Sequence, residues 1–117
     1  MTPSQKAREL LGLCGYTVER VEYDNFHNGR TWKRDFLNFG DFLAFKPHRF
    51  ILVQATSSTH VSERVNKIST EPRHRLWLNA GGEIVVIGTY PMNRKQPRLV
   101  AWVDGEPQER PVLEYLQ

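Results

Sequence analysis

The stretch that decides the fold is DFLAFKPHRFILVQAT, residues 41–56, followed after a short Ser/Thr cluster by VSERVNK, residues 61–67. Two apolar runs on either side of a Lys-Pro-His-Arg turn predict a β-hairpin. The run 50–53 is continuously apolar, which is typical of a strand covered on both faces. Residues 57–59 offer N-cap side chains for a basic helix that begins at about Val61.

An acid and an amide stand at corresponding ends of these two strands. Asp41 opens the first strand and Gln54 ends the second, so strand pairing would bring them close enough to share a divalent cation. The carbonyl oxygen of Ala55 is a further neutral ligand, and Mg²⁺ and Mn²⁺ prefer such oxygen ligands. Lys67 or Arg64 would reach the same site from the helix and neutralise charge in a transition state. This combination predicts metal-dependent hydrolysis of phosphodiesters.

A neighbouring repeat leaves one assignment open. The sequence DFLNF at 35–39 is followed, after Gly40, by DFLAF at 41–45. We expect Asp41 to open the inner strand and Asp35 to lie on the preceding segment, but either aspartate could be the metal ligand. Gly40 permits a bend or a close backbone approach between them.

Length and composition favour one folded domain over residues 1–117. Hydrophobic residues make up 39% of the 117, with three Trp, four Tyr and six Phe, which argues against disorder. No apolar stretch approaches the roughly 20 residues of a membrane span, and the N-terminus lacks the apolar core of a secretory signal. Cys14 is alone, so an internal disulfide is excluded. These features predict a cytoplasmic protein without a membrane partner.

Positive charge is concentrated around the central segment. The net charge is +3, although residues 103–117 contain four acids and one arginine. Much of the remaining positive excess falls within residues 30–75, where it would attract a polyanion such as DNA. The candidate phosphate-binding residues are Arg30, Lys33, Arg34 and Arg64. Ordinary solvation of surface arginines and lysines would produce the same pattern.

The rest of the chain reads as further helices and strands. Apolar spacing predicts a first helix that ends at about Leu13. The other expected elements are a strand at 16–23, a loop at 24–30, a helix at 73–80, strands at 83–90 and 99–102, and an edge strand or tail at 111–116. The order α-β-β-β-α-α-β-β predicts an α/β fold with a mixed sheet.

This order of elements resembles the restriction-endonuclease-like PD-(D/E)xK nucleases over roughly residues 4–90. Small phage and bacterial members and the Holliday-junction resolvases are the most similar. The resemblance implies an αβββαβ core with a mixed central sheet flanked by helices, and Mg²⁺ or Mn²⁺ as cofactor. Asp41 matches the aspartate that opens the second core strand of the family.

The sequence departs from the family pattern at the end of the third strand. The acidic-x-Lys triplet expected there is replaced by Gln54, Ala55 and Thr56. Variants of the superfamily carry the lysine on the next helix, which Lys67 would match, and resolvase-like members add a glutamate from the first helix, for which Glu9 is the candidate. The resemblance and the residues together propose a catalytic set and a metal site. The catalytic set is Asp41, Gln54, Lys67 and Glu9; the metal ligands are Asp41, Gln54 and Ala55.

Three hypotheses follow. The first is a metal-dependent endonuclease acting on DNA, including branched or recombining DNA, where a homodimer would place two sites on two strands. The alternative is a weakened or inactive nucleic-acid-binding module on the same fold, which Gln54 and Thr56 favour. A third is a structural or partner-binding protein with an unrelated α/β fold.

Overall fold

A computed structural model describes residues 1–92 and 95–117, apart from the side chains of Tyr23, Asn25, His27, Trp32 and Lys33. The helices are α1 (Pro3–Leu13), α2 (Val61–Ser69), α3 (Arg73–Asn79) and α4 (Val112–Leu116). The strands are β1 (Thr17–Arg20), β2 (Tyr23–His27), β3 (Arg30–Arg34), β4 (Phe42–Lys46), β5 (Arg49–Ser57), β6 (Glu83–Thr89), β7 (Arg98–Val103) and β8 (Glu106–Arg110). None of the described helices has both the length and the hydropathy needed to cross a membrane.

Six strands form one mixed sheet in the order β1-β4-β5-β6-β7-β8, while β2 and β3 form a separate two-stranded sheet. The predicted hairpin is present, with β4 and β5 antiparallel and Phe42 opposite Val53. Strands β5 and β6 are parallel, so the chain must cross over between them, and α2 and α3 form that crossover. The described residues therefore form an α/β fold, as the sequence predicts.

The sheet is covered on both faces, which explains the apolar run in β5. Ile51 and Val53 belong to a core cluster that includes α1 and α4. Leu52, between them, belongs to a second cluster that includes α2 and α3. Side chains alternate along a strand, so a strand buried on both faces must be apolar at consecutive positions.

Two tight turns produce strands that the sequence interpretation did not predict. Residues 24–30 were expected to form a loop, but they contribute to the β2–β3 pair, whose turn is Asn28-Gly29 with positive φ at both residues. Asp104-Gly105 has the same conformation and joins β7 to β8. Asn-Gly and Asp-Gly are strong signals for two-residue hairpin turns because both central residues must adopt positive φ.

The C-terminal segment is also different from the expectation. Residues 111–116 were expected to form an edge strand or a tail, whereas β8 lies at the sheet edge and α4 follows it. Val112 and Leu116 of α4 are buried in the cluster that includes α1. The spacing of these two residues places them on one helix face, and packing therefore determines the helix.

Candidate active site

Two aspartates are brought together by a small closed loop. The backbone amide of Phe36 donates to the Gly40 carbonyl at 3.0 Å, and the Gly40 amide donates to the Phe36 carbonyl at 2.8 Å. Phe39, inside this loop, is fully buried in the core beside α2. Because the paired residues stand next to Asp35 and Asp41, the two aspartates lie at the mouth of the loop.

Backbone contacts hold Asp41 against β5. Its amide donates to the carbonyl of Val53 at 2.8 Å, and its Oδ2 accepts from the amide of Ala55 at 3.0 Å. In a strand, the N–H and C=O groups of one residue point to the same side, so the Ala55 carbonyl also faces this region. Gly40 is needed nearby because a Cβ at that position would overlap the side chain of Leu52.

Asp41 and Gln54 are in direct contact. Gln54 Nε2 donates to Asp41 Oδ2 at 2.9 Å and more weakly to the Ala55 carbonyl at 3.4 Å. Both side chains are buried, with exposed fractions of 7% for Asp41 and 4% for Gln54. The hairpin therefore brings the acid and the amide together, but through the amide nitrogen. The Gln54 Oε1 atom is buried without a hydrogen-bond partner among the described residues.

A third carboxylate joins the two aspartates. The amide of Val21 donates to the Asp41 carbonyl at 3.0 Å, which sets Glu22 beside Asp41. Carboxylate oxygens of Glu22, Asp35 and Asp41 all lie within 4.8 Å of one another. We call these three residues the acidic cluster. Its formation leaves open which aspartate would be the better ligand, since both are present.

Basic side chains surround this cluster. Lys67 Nζ on α2 lies 3.8 Å from Asp35 Oδ2, so the predicted lysine reaches the cluster through Asp35. Arg64 lies one turn earlier on α2, and its charge acts to lower the pKa of Asp35; its Nε is buried with no partner among the described residues. Arg20 Nε contacts Glu22 Oε1 at 3.1 Å. Helix α2 therefore places two cations beside three acids.

Burial and mutual repulsion disfavour ionisation within the cluster. Burial raises the pKa of Asp41 to about 7; the Ala55 amide opposes this rise, while Asp35 and Glu22 add to it. Burial likewise raises the pKa of Asp35, against the attraction of Lys67. A divalent cation would reverse this tendency because it stabilises the ionised carboxylates.

Glu9 is not brought to the acidic cluster. Helix α1 packs on the sheet face that holds Val53, whereas Gln54, the next residue of β5, points to the opposite face. Glu9 is exposed and lies along a surface depression beside Tyr90. The structure therefore places Glu9 away from the acidic cluster, whose third carboxylate is that of Glu22. Glu22 lies at the end of a predicted strand that pairs beside Asp41, and antiparallel pairing was the signal that could have identified it.

The remaining predicted phosphate-binding residues lie on β3. Arg30 and Arg34 are exposed, and Arg34 immediately precedes Asp35. Lys33 lies between them in the chain, but its side chain is outside the described part of the structure. These positions place the β2–β3 pair next to the acidic cluster.

Comparison with known proteins finds no protein-family model, no curated protein and no solved structure that matches the chain. The functional assignment therefore depends on the site itself. That site combines three clustered carboxylates, a buried amide whose oxygen has no hydrogen-bond partner among the residues described, and basic residues on the adjoining helix.

Proposed function

We propose that the chain is a metal-dependent nuclease that hydrolyses DNA phosphodiesters at the acidic cluster. The observation that carries this proposal is the buried Oε1 of Gln54, which has no hydrogen-bond partner in the described part of the chain and belongs to the amide that contacts Asp41. Acidic groups often cluster without binding an ion, but a buried polar atom without a partner is costly. A cation held by the cluster and by this amide would offset that cost.

The donor set fits a hard cation such as Mg²⁺ or Mn²⁺. Mg²⁺ and Mn²⁺ prefer hard oxygen ligands, and the site offers carboxylate oxygens from three residues together with the amide oxygen of Gln54. The residues that would hold the ion are Asp41, Gln54, Glu22 and Asp35, with the Ala55 carbonyl on the same side.

The chain would divide the chemistry between the ion and its own side chains. When bound, the ion would polarise the phosphoryl oxygen and lower the pKa of the attacking water. Lys67 and Arg64 would bind the phosphate and stabilise negative charge that develops during hydrolysis. The fixed backbone contacts of Asp41 would keep the ligand set in place before substrate arrives.

The order of elements supports a restriction-endonuclease-like core as the finer description of the fold. Elements α1, β1, β4, β5, α2 and β6 occur in the helix-strand-strand-strand-helix-strand order that the resemblance implies, with β2 and β3 between β1 and β4 and with α3 between α2 and β6. The four strands are also neighbours in the sheet. The β2–β3 pair would then be an insertion between the first and second core strands. Thr56 in place of a lysine is the main departure from the pattern.

Cleavage assays with matched variants test the proposal. We expect the wild type to cut linear or branched DNA in Mg²⁺ or Mn²⁺, and Asp41→Ala or Glu22→Gln to lose roughly 100-fold or more of this activity, since each removes a carboxylate from the metal site. Lys67→Gln should reduce cleavage while calorimetric metal binding persists. Glu9→Gln is the matched control and should keep wild-type activity. Unchanged cleavage by Asp41→Ala would refute the assignment of this site.

Two features favour a second function, that of an inactive nucleic-acid-binding module. The Asp41 Oδ2 atom already accepts two hydrogen bonds without an ion, and Thr56 supplies no charge. This alternative predicts DNA binding that weakens with salt, no metal-stimulated cleavage and no heat on Mg²⁺ titration. Absence of DNA binding at low salt would instead favour a partner-binding protein. Under the nuclease proposal, a homodimer would place two sites on two DNA strands. Analytical ultracentrifugation would detect such a dimer by its sedimentation.

A further inference from the structure

The closed loop between the two aspartates has a strained turn at its tip. Leu37 and Asn38 both have positive φ, at 53° and 67°, and the amide of Phe39 donates to the Phe36 carbonyl at 3.1 Å across them. Asparagine adopts positive φ readily, whereas leucine rarely does. A residue in this conformation persists only where surrounding contacts hold it there.

The tip of the loop is held by the segment that joins α2 and α3. Asn38 Nδ2 donates to Glu71 Oε2 at 3.2 Å. The ring of Phe36 meets the ring of Trp77 on α3 edge to face, with 5.9 Å between the centroids. Leu37 is half-buried against the core cluster that includes α2 and α3. Three successive residues of the loop therefore contact this part of the protein.

Glu71 is itself fixed in place. Its Oε1 accepts hydrogen bonds from the backbone amide and from Nε of Arg73, at 3.2 and 2.8 Å, which leaves Oε2 to accept from Asn38. The amide of Glu71 donates to the carbonyl of Ile68 at 3.0 Å, so its backbone continues from the last turn of α2. A fixed acceptor holds the Asn38 side chain more firmly than a mobile surface carboxylate would.

The same end of α2 also contacts the base of the loop. Lys67, in the last turn of α2, lies 3.8 Å from Asp35 Oδ2. Asn38 stands three residues from Asp35 and three residues from Asp41. Asp41 is held independently by its backbone hydrogen bond to Val53. Asp35 is therefore the aspartate whose position depends on the contacts of the loop with α2 and α3.

The acidic cluster needs such contacts because its members repel one another. Carboxylate oxygens of Glu22, Asp35 and Asp41 lie within 4.8 Å of one another, and like charges at this distance disfavour the assembled, ionised state. A held tip opposes outward movement of Asp35. Ligands that are already in place lose less freedom when they bind, and loss of a residue that supports a metal ligand typically weakens metal affinity by about 10–100-fold.

We propose that Asn38 and Glu71 are positioning residues of the metal site, and that their hydrogen bond holds Asp35 in the acidic cluster. This inference rests on the metal site of the proposed function and does not depend on DNA cleavage. Neither residue is a member of the acidic cluster, so each acts on the ion through the loop.

Calorimetric titration with Mn²⁺ at pH 8 tests the proposal. Asn38→Gly removes the side-chain amide but keeps a residue that adopts positive φ without steric cost, and its Mn²⁺ affinity should fall roughly tenfold. Asn28→Gly is the matched control, because it makes the same change at φ 52° in the turn between β2 and β3. It should keep the wild-type affinity.

Variants of Glu71 separate the hydrogen bond from the charge. Glu71→Ala should weaken Mn²⁺ binding as much as Asn38→Gly does, whereas Glu71→Gln keeps an oxygen that accepts from Asn38 and should retain most of the affinity. The double variant Asn38→Gly/Glu71→Ala should bind no more weakly than either single variant, because both remove one contact. Additive losses, or equal losses in Glu71→Gln and Glu71→Ala, would overturn the proposal.

Urea unfolding of the same variants excludes a merely structural role. A contact that only stabilises the fold would lower the free energy of unfolding and leave the Mn²⁺ affinity of the folded protein unchanged, and that result would also overturn the proposal.

The outcomes separate this inference from the nuclease. If Asn38→Gly and Glu71→Ala weaken Mn²⁺ binding as expected and the wild type never cuts DNA, the positioning role is supported and the nuclease is refuted. If the wild type cuts DNA and Asn38→Gly binds Mn²⁺ as the wild type does, the positioning role is refuted and the nuclease stands. If the wild type binds no Mn²⁺, both are refuted.

Discussion

Removal of the Asp41 charge should stabilise the metal-free protein at neutral pH. Asp41 is 7% exposed, and burial raises the pKa of its carboxyl from 3.8 to about 7. Below pH 3.8 the carboxyl is protonated in both the folded and unfolded chains. Between the two pKa values the unfolded chain has released a proton that the folded protein retains, so the free energy of unfolding falls as pH rises. Above pH 7 Asp41 is ionised in both states, and its ionisation lowers the free energy of unfolding no further.

The pKa difference sets the size of this effect. Each unit of difference is worth about 1.4 kcal/mol, so ionised Asp41 destabilises the metal-free fold by on the order of 4 kcal/mol. Most of this change falls between pH 5 and pH 8. Over that range the free energy of unfolding of the wild type should fall by about 3 kcal/mol more than that of Asp41→Asn. At pH 8 the variant should therefore be the more stable protein, although it has lost a native side chain.

Urea unfolding in EDTA at pH 5 and pH 8 measures both quantities. Asp24→Asn is the matched control, because it removes an exposed aspartate of β2 and should follow the wild type. Saturating Mg²⁺ should restore stability to the wild type at pH 8 more than at pH 5, since the ion binds the ionised cluster. Equal pH dependence of the wild type and Asp41→Asn would show that the acidic cluster does not carry the buried charge described above.

Two further predictions concern contacts that hold the site and the sheet. Gly40→Ala should lower the free energy of unfolding by about 1–3 kcal/mol because its Cβ would overlap Leu52. Gly12→Ala, where a Cβ would meet no other atom within 4 Å, should be neutral or stabilising. Urea unfolding of the two variants distinguishes the effect of steric overlap from the effect of losing a glycine. Glu83→Gln should cost about 1–3 kcal/mol, since Glu83 accepts hydrogen bonds from Arg49 at 2.9 and 2.7 Å; thermal unfolding showing no loss would contradict a stabilising role for this ion pair.

The parts of the fold that local patterns determine were predictable from the sequence. The hairpin of 41–56 has two apolar strands and a turn, and its register follows from which residues must be buried on each sheet face. That register is also what brings Asp41 to Gln54. The position of Lys67 was also predictable, because an amphipathic helix that follows β5 must return along the sheet.

The parts that depend on distant pairing were harder to predict. Glu22 and Asp35 join Asp41 through pairing of β1 with β4 and through the closed loop that begins at Phe36. Neither contact is visible in a short window of sequence. The β2–β3 pair is different, because its Asn28-Gly29 turn is a local signal; the polar composition of 24–30 led instead to the prediction of a loop. Composition indicates exposure to water, and an exposed pair of strands is as polar as a loop.

The positions of Glu22 and Asp35 bear on whether Gln54 is compatible with the proposed catalysis. The resemblance implies an acid at the end of the third core strand, and a glutamine there removes one negative charge from the site. In this chain Glu22 and Asp35 both lie within 4.8 Å of Asp41, so the cluster holds three carboxylates without an acid at 54. A fourth acid at that buried position would add repulsion to groups that already resist ionisation, whereas a neutral amide adds an oxygen ligand without charge. If an acid at position 54 is not required for metal binding, Gln54→Glu should lower the stability of the metal-free fold at pH 8 without being needed for metal affinity. Glu22→Gln should reduce metal affinity more than any change at position 54 does. A calorimetric titration in which Glu22→Gln binds Mn²⁺ as tightly as the wild type would show that the charge at Glu22 does not substitute for the missing acid.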